Sequence, residues 1–245
     1  MSLEITMDSE RFKSTVAARM ADVERRVTAS CQRSGRSRSD VTIVAVTKQL
    51  SVEATALLPG LGLEHFGESR PQDLWKKAAA LEGKPVQWHM IGHLQRNKIE
   101  RTLPLASMIH AVDSIRLLEA LDELAARINR IAPVLLEVNA SGEQTKQGFA
   151  PSPSALAEMV EAIGRTKNLQ IRGLMTMAAP LPNPEDCRPA FAALRHLRDK
   201  LRKKLNPTHE FNDLSMGMSN DFEIAIEEGA TLVRLGSVYF EGAES

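Results

Sequence analysis

Short apolar segments alternate with helix-patterned segments along this chain, and that alternation constrains the fold more than any other feature. The strand-like runs are residues 41–48, 65–68, 88–93, 108–112, 134–139, 171–177, 211–216 and 232–236. Most are brief and rich in β-branched or apolar residues, as strands buried on both faces should be. Helical patterns lie between them at 52–58, 71–81, 96–101, 115–128, 154–165, 189–205 and 221–228. Ahead of the first strand, Phe12, Val16, Met20, Val23 and Val27 mark one amphipathic helix, with Ser9 as its expected N-cap. The tally predicts an α/β protein: a single (β/α)8 TIM barrel domain over 1–245 with an extra N-terminal helix. An open doubly wound sheet is the alternative. No Gly-x-Gly-x-x-Gly follows the first strand, so its dinucleotide-binding version has no support.

Composition narrows the classes of function. Lys+Arg and Asp+Glu balance at 31 each, so no global basic field is present to hold nucleic acid. The basic cluster Arg195–Lys204 lies at helical spacing and reads as a solvated helix face. Cys31 and Cys187 stand far apart without a C-x-x-C partner, which gives neither a disulfide framework nor a zinc site and fits a reducing compartment. The first residues lack the basic and apolar regions of a signal peptide, and no apolar run reaches the roughly 18 residues of a membrane span. A cytoplasmic protein without a membrane partner is expected.

Chemistry gathers at the C-terminal ends of the strand-like runs, where barrels of this class carry their active sites. The run Val41-Thr-Ile-Val-Ala-Val-Thr47 ends in Lys48, on the same face as Thr42, Val44 and Val46. A partly desolvated lysine there has a lowered pKa and a nucleophilic amine able to form a Schiff base; the plainer reading is a lysine snorkelling to solvent. The turns Ser215-Met-Gly-Met-Ser219 and Gly236-Ser237 offer hydroxyls and close backbone approach for a phosphate, or ordinary turn and capping chemistry at Ser219 or Asn220. Arg234, mid-strand, needs an acceptor: a carboxylate such as Glu137, or a ligand's ring nitrogen or anion. His89 and His93 lie on a strand-to-loop segment with no third ligand, so metal is not expected. Met175, Met177, Met216 and Met218 read as core or pocket lining, and Asp113 as the cap of the next helix. A lysine on strand one with a phosphate cradle after strands seven and eight suggests pyridoxal 5′-phosphate: its aldehyde suits Lys48, its phosphate the distal turns and its pyridine nitrogen Arg234.

The chain resembles the pyridoxal phosphate homeostasis proteins, relatives of the N-terminal barrel of alanine racemase. The resemblance rests on Val44-Ala-Val-Thr-Lys48, His65-Phe-Gly-Glu-Ser-Arg70, Trp88-His-Met-Ile-Gly-His-Leu-Gln-Arg-Asn-Lys98 and Val138-Asn139 with Lys146-Gln-Gly148. Arg172-Gly-Leu-Met175, Leu214-Ser-Met-Gly-Met-Ser-Asn-Asp221 and Val233-Arg-Leu-Gly236 follow in family order. The resemblance implies the cofactor on Lys48 as a Schiff base, phosphate contacts from Ser215, Ser219, Gly236 and Ser237, and Arg234 near the pyridine nitrogen. Ser69, His89, Met175 and Met216 complete the expected cofactor contacts. Two positions depart from the family: Ser69 stands where Asn is common in Gly-Glu-Asn, and Ser237 stands where Thr is commoner.

The resemblance implies handling of vitamin B6, with delivery to apo forms of pyridoxal phosphate enzymes, and no established reaction. A racemase needs a proton donor or acceptor on each face of the carbanion. In alanine racemase the opposite base is a tyrosine from a second, β-rich domain. This chain runs about nine residues past its last strand, so no such domain is expected, and its one tyrosine, Tyr239, reads as packing. Arg234 would leave the ring nitrogen unprotonated, a poorer electron sink. A non-catalytic, monomeric carrier is therefore expected. The alternatives are a weak amino-acid racemase and a protein-interaction module with a vestigial site. Lys146 reads as a solvated loop lysine, or as one that assists transfer or holds a second anion.

Overall fold

The computed structural model describes residues 8–140, 147–177, 181–205 and 209–244. Its centre is a closed barrel in which β1 to β8 pair in sequence order and β8 returns to β1. The strands are β1 (Thr42–Val46), β2 (His65–Glu68), β3 (Gln87–Met90), β4 (Ala106–Val112), β5 (Ala132–Glu137), β6 (Leu169–Met175), β7 (Asp213–Ser215) and β8 (Leu232–Leu235). All neighbouring pairs are parallel. Around them run α1 (Ser9–Arg33), α2 (Val52–Leu57), α3 (Pro71–Ala80), α4 (Ile99–Thr102), α5 (Ile115–Arg127), α6 (Pro153–Arg165), α7 (Arg188–Arg202), α8 (Phe222–Glu227) and α9 (Ser237–Phe240).

Two apolar layers hold this arrangement. A small one fills the barrel, where Val44, Ala111, Leu135, Met175 and Leu232 meet. The larger one lies between strands and helices, and outward strand residues such as Ala45, Phe66, Trp88, Val134 and Val233 belong to it. Neighbouring residues of β1, β4, β5, β6 and β8 thus serve different cores, which is why those runs are apolar on both faces. The leading helix α1 buries Phe12, Val16, Val23 and Val27 completely. Its cap is Asp8, whose carboxylate accepts from the Glu10 and Arg11 amides at 3.1 Å, while the predicted Ser9 is already the first helical residue. Arg26 grips Glu223 of α8 through two bonds of 2.9 Å, fixing α1 against the end of the barrel sequence.

The structure trims the predicted strands at their C-terminal ends except for β2 and β4, which end at Glu68 and Val112 as predicted. β1 stops at Val46, because Leu50 N–H turns back to the Thr47 carbonyl at 2.9 Å and closes a turn over Lys48. β7 starts only at Asp213, since Phe211 adopts a positive φ of 43° that no strand continues through. α9, absent from the sequence reading, is one short turn beginning at Ser237. No helix among the described residues is long and apolar enough to cross a membrane.

Candidate cofactor site

Register places the two ends of the barrel sequence side by side. Val44 pairs with Arg234 and Ala45 with Leu235, so Val46 abuts Gly236. A Cβ on Gly236 would stand 3.3 Å from the Val46 Cβ, which leaves backbone as the surface this turn presents beside β1. Lys48 follows just past this point, next to the turn that opens α9. It lies outside the strand and is exposed, so the expected desolvation of its amine is corrected to a solvated one. The chain leading into Lys48 is instead what the fold fixes. Thr47, fully buried, donates its hydroxyl to Glu68 Oε1 at 2.6 Å, and Lys77 Nζ of α3 donates to the Thr47 carbonyl at 2.6 Å and to the same carboxylate at 2.7 Å.

The β7–α8 loop is brought onto the same turn by Ser219. Its hydroxyl accepts from Gly236 N–H at 3.4 Å and Val238 N–H at 3.2 Å. Gly217 makes this possible: its φ is +92°, and a Cβ there would come within 2.5 Å of the Ala225 Cβ. Asp221 takes the Met218 amide at 2.6 Å, so the loop closes on itself and Ser219 is left to serve α9, not to cap α8. Ser219, Gly236 and the exposed Ser237 together form a rim of hydroxyls and N–H groups suited to an anion.

Arg234 lies deeper, only 4% exposed. Its guanidinium donates to Ser215 Oγ at 2.6 Å and to the Thr176 carbonyl at 3.0 Å. Of the two readings of Arg234, the ion pair with Glu137 does not form; among the described residues no carboxylate contacts this cation. Burial lowers its pKa to about 10, opposed by the fields of Asp221 and Glu137. Burial also raises both carboxyls, with Asp113 pushing Glu137 further.

Ser215 is completely buried, between Arg234 and His110, rather than on the anion rim with Ser219. Met175 belongs to the barrel-interior cluster, whereas Met216 packs in the outer core. Ser69 is half-buried; a Cβ on Gly92 would meet its carbonyl oxygen at 2.3 Å, so the loops after β2 and β3 touch there. His89 is buried in the interior, bonded to His65 at 3.0 Å and His110 at 2.9 Å. His93 instead pairs with Asp113 at 2.8 Å, and Ser114, not Asp113, caps α5. Tyr239 is buried on α9 and packs edge-on against Phe240. Lys146 lies outside the described residues, and among the described residues no cluster of His, Cys, Asp or Glu suits a metal.

Three participants escaped the sequence reading: Lys77, His65 and His110. Lys77 sits on the amphipathic pattern of α3 like any solvated lysine. Histidines on three successive strands were a visible signal, but their meeting depends on the register between those strands. The donor set fits pyridoxal 5′-phosphate: an amine for a carbonyl, the Ser219–Gly236–Ser237 turn for a phosphate, and a buried guanidinium with no carboxylate contact among the described residues for a ring nitrogen.

The family model describing the N-terminal domain of alanine racemase matches residues 23–243, which sets the class of this barrel. A pyridoxal phosphate homeostasis protein of Aquifex aeolicus is 39% identical over 91% of this chain and 96% of its own length. One from Pseudomonas aeruginosa is 37% identical, over 93% of this chain and 95% of that protein. The structure of PipY from Synechococcus elongatus with PLP bound superimposes with a TM-score of 0.78 at 31% identity, covering 92% of this chain and 99% of the other. The chain belongs to the family of pyridoxal phosphate homeostasis proteins.

Proposed function

We propose that this protein binds pyridoxal 5′-phosphate at the C-terminal mouth of its barrel and takes part in vitamin B6 homeostasis by capturing and releasing it. Arg234 is the observation that carries the reading: a buried cation that the chain surrounds with a hydroxyl and a carbonyl and leaves without a carboxylate contact among the described residues. When bound, the cofactor supplies an electrophilic carbonyl carbon and a ring whose electron demand follows protonation of its nitrogen. Lys48 is the covalent anchor: its amine is exposed, and the Thr47 peptide before it is clamped by Lys77 and Glu68. Ser219, Gly236 and Ser237 hold the phosphate. Arg234 donates to the ring nitrogen, with Ser215 behind it, and Met175, Met216, Ser69 and His89 line or back the pocket.

Arg234 keeps its protons at neutral pH and offers only donors, so it holds the ring nitrogen without protonating it. Family membership points to a handling role, and this donor arrangement favours transfer to apo-enzymes over turnover of an amino acid. The test is a visible absorption spectrum before and after borohydride, followed by peptide mass mapping. A cofactor mass on Lys48, absent from Lys48→Ala, is expected. Covalent cofactor retained by Lys48→Ala would refute the anchor, and α-hydrogen exchange on a free amino acid in deuterated water would replace the carrier by a weak racemase.

A further inference from the structure

Behind Arg234 a line of hydrogen bonds crosses the barrel. Arg234 Nη1 meets Ser215 Oγ at 2.6 Å, and Ser215 Oγ meets His110 Nδ1 at 2.9 Å. His110 Nε2 lies 2.9 Å from His89 Nδ1, and His89 Nε2 lies 3.0 Å from His65 Nδ1. The β4–β5 register shifts between Ile109 and Val112, the stretch that carries His110. His89 and His110 are buried, whereas His65 is half-buried at the opposite, N-terminal mouth. A cavity of about 430 Å³ opens there, lined by His65 and His89 with Asp40, Gln87, Arg172 and Asp213.

The connectivity restricts the protons. A neutral imidazole has one donor and one acceptor nitrogen. Both ring-to-ring contacts join an Nδ1 to an Nε2, so both can be hydrogen bonds only if all three rings carry the same tautomer. Arg234 can only donate, which leaves the Ser215 hydroxyl proton as the free variable at that end. We infer that His65, His89, His110 and Ser215 form a proton path from the N-terminal mouth of the barrel to the buried hydroxyl behind Arg234. Inward passage starts with each ring protonated on Nδ1. A proton from water in the mouth binds His65 Nε2, and the Nδ1 proton of His65 passes to His89 Nε2. His89 passes its Nδ1 proton to His110 Nε2, and His110 passes its own to Ser215 Oγ. Passage is completed when a water or a basic ligand atom reaches the fully buried Ser215 hydroxyl and takes its former proton. One proton enters and one leaves, no ring stays charged, Arg234 is unchanged, and all three rings end protonated on Nε2.

Burial supports the neutral resting state. It lowers His65 despite nearby Glu64, takes His89 to about 3 with help from His65, and holds His110 far below the ordinary range beside His89 and Arg234. That the path ends at a cofactor rests on the function proposed above; the path itself does not.

The experiment is NMR of the full-length, ligand-free chain labelled with 15N-histidine, reading ring tautomers and exchange of the His110 ring N–H with water. One shared neutral tautomer is expected for His65, His89 and His110. Exchange should slow about a hundredfold in His89→Gln, whose amide bonds both neighbours but does not relay, and in His65→Phe at the half-exposed mouth. Mixed tautomers, a charged ring, or exchange that persists in either variant would overturn the path. Should His89→Gln not fold, His65→Phe decides alone. Trapping of cofactor on Lys48 is read separately, in the wild-type chain, so the two readings fail separately.

Discussion

Two buried cations sit within this barrel, and the fold treats them in opposite ways. Lys77 and Arg234 are each 4% exposed. Lys77 reaches a fully buried carboxylate, Glu68, at 2.7 Å and is neutralised inside the protein. Arg234 has a hydroxyl and a carbonyl within reach and, among the described residues, no ion pair. A buried charge costs several kcal/mol unless paired. The chain therefore bears that cost at Arg234 and avoids it at Lys77. The difference separates a cation that holds the backbone from one left without an ion pair among the described residues: Lys77 fixes the peptide before Lys48, while Arg234 is the cation proposed above to meet the ligand.

The largest effect expected from this contrast is at Lys77. Lys77→Met strands Glu68, whose Oε2 already lacks a partner among the described residues and whose Oε1 would keep only the Thr47 hydroxyl. Loss of one member of a buried pair costs about 3–5 kcal/mol, or roughly 6–20 °C in Tm for a chain of this size. Adding Glu68→Leu should recover most of that loss, because the orphaned charge goes with it. A Tm within 2 °C or so of wild type for Lys77→Met alone would mean the pair holds nothing.

Acid tests the network behind Arg234. The folded-state pKa values of His65, His89 and His110 lie below the ordinary 6.5, so the unfolded chain takes up protons first as pH falls. Stability is intact above about 6.5 and is lost as pH drops from there toward 3, the folded value of His89. Each imidazole contributes a slope of about 1.4 kcal/mol per pH unit in that window. Glu137 and Asp221, raised by burial, act in the opposite direction on the acid side. Urea unfolding at pH 7.5, 6 and 5 should therefore lose stability with acid, and His89→Gln should flatten the slope by about one imidazole. An unchanged slope in that variant would show that His89 is already charged or solvated in the folded chain.

The contrast also explains what could be read before the fold was known. Strand number and order were legible because β-branched runs such as Thr42–Val46 need burial on both faces. Strand ends were not, since they depend on turns such as that over Lys48, set by hydrogen bonds to other elements. Lys48, Arg234 and the Ser219 and Gly236 turns were legible as residue types at strand ends. The state of each was not: Lys48 is exposed where desolvation was expected, and Arg234 lacks the Glu137 ion pair. Lys77 and the three histidines became significant only through strand pairing and register, which bring positions more than a dozen residues apart within hydrogen-bond reach.

The smallest stability effect, and the sharpest discrimination, belongs to Arg234→Met. Two hydrogen bonds from a charged donor disappear, each worth about 1.5–3 kcal/mol. The burial cost of an unpaired guanidinium, several kcal/mol, disappears with them. Ser215 keeps His110 at 2.9 Å, and methionine replaces the aliphatic stem on the strand position that pairs with Val44. These terms nearly cancel, so Tm should move by no more than about 4 °C either way, against the large fall at Lys77. Binding should respond differently: titration with pyridoxal 5′-phosphate, followed by absorbance, should show loading weakened by more than tenfold, about 1.4 kcal/mol. A variant that unfolds early yet still loads normally would reverse the comparison, making Arg234 the structural cation of this barrel.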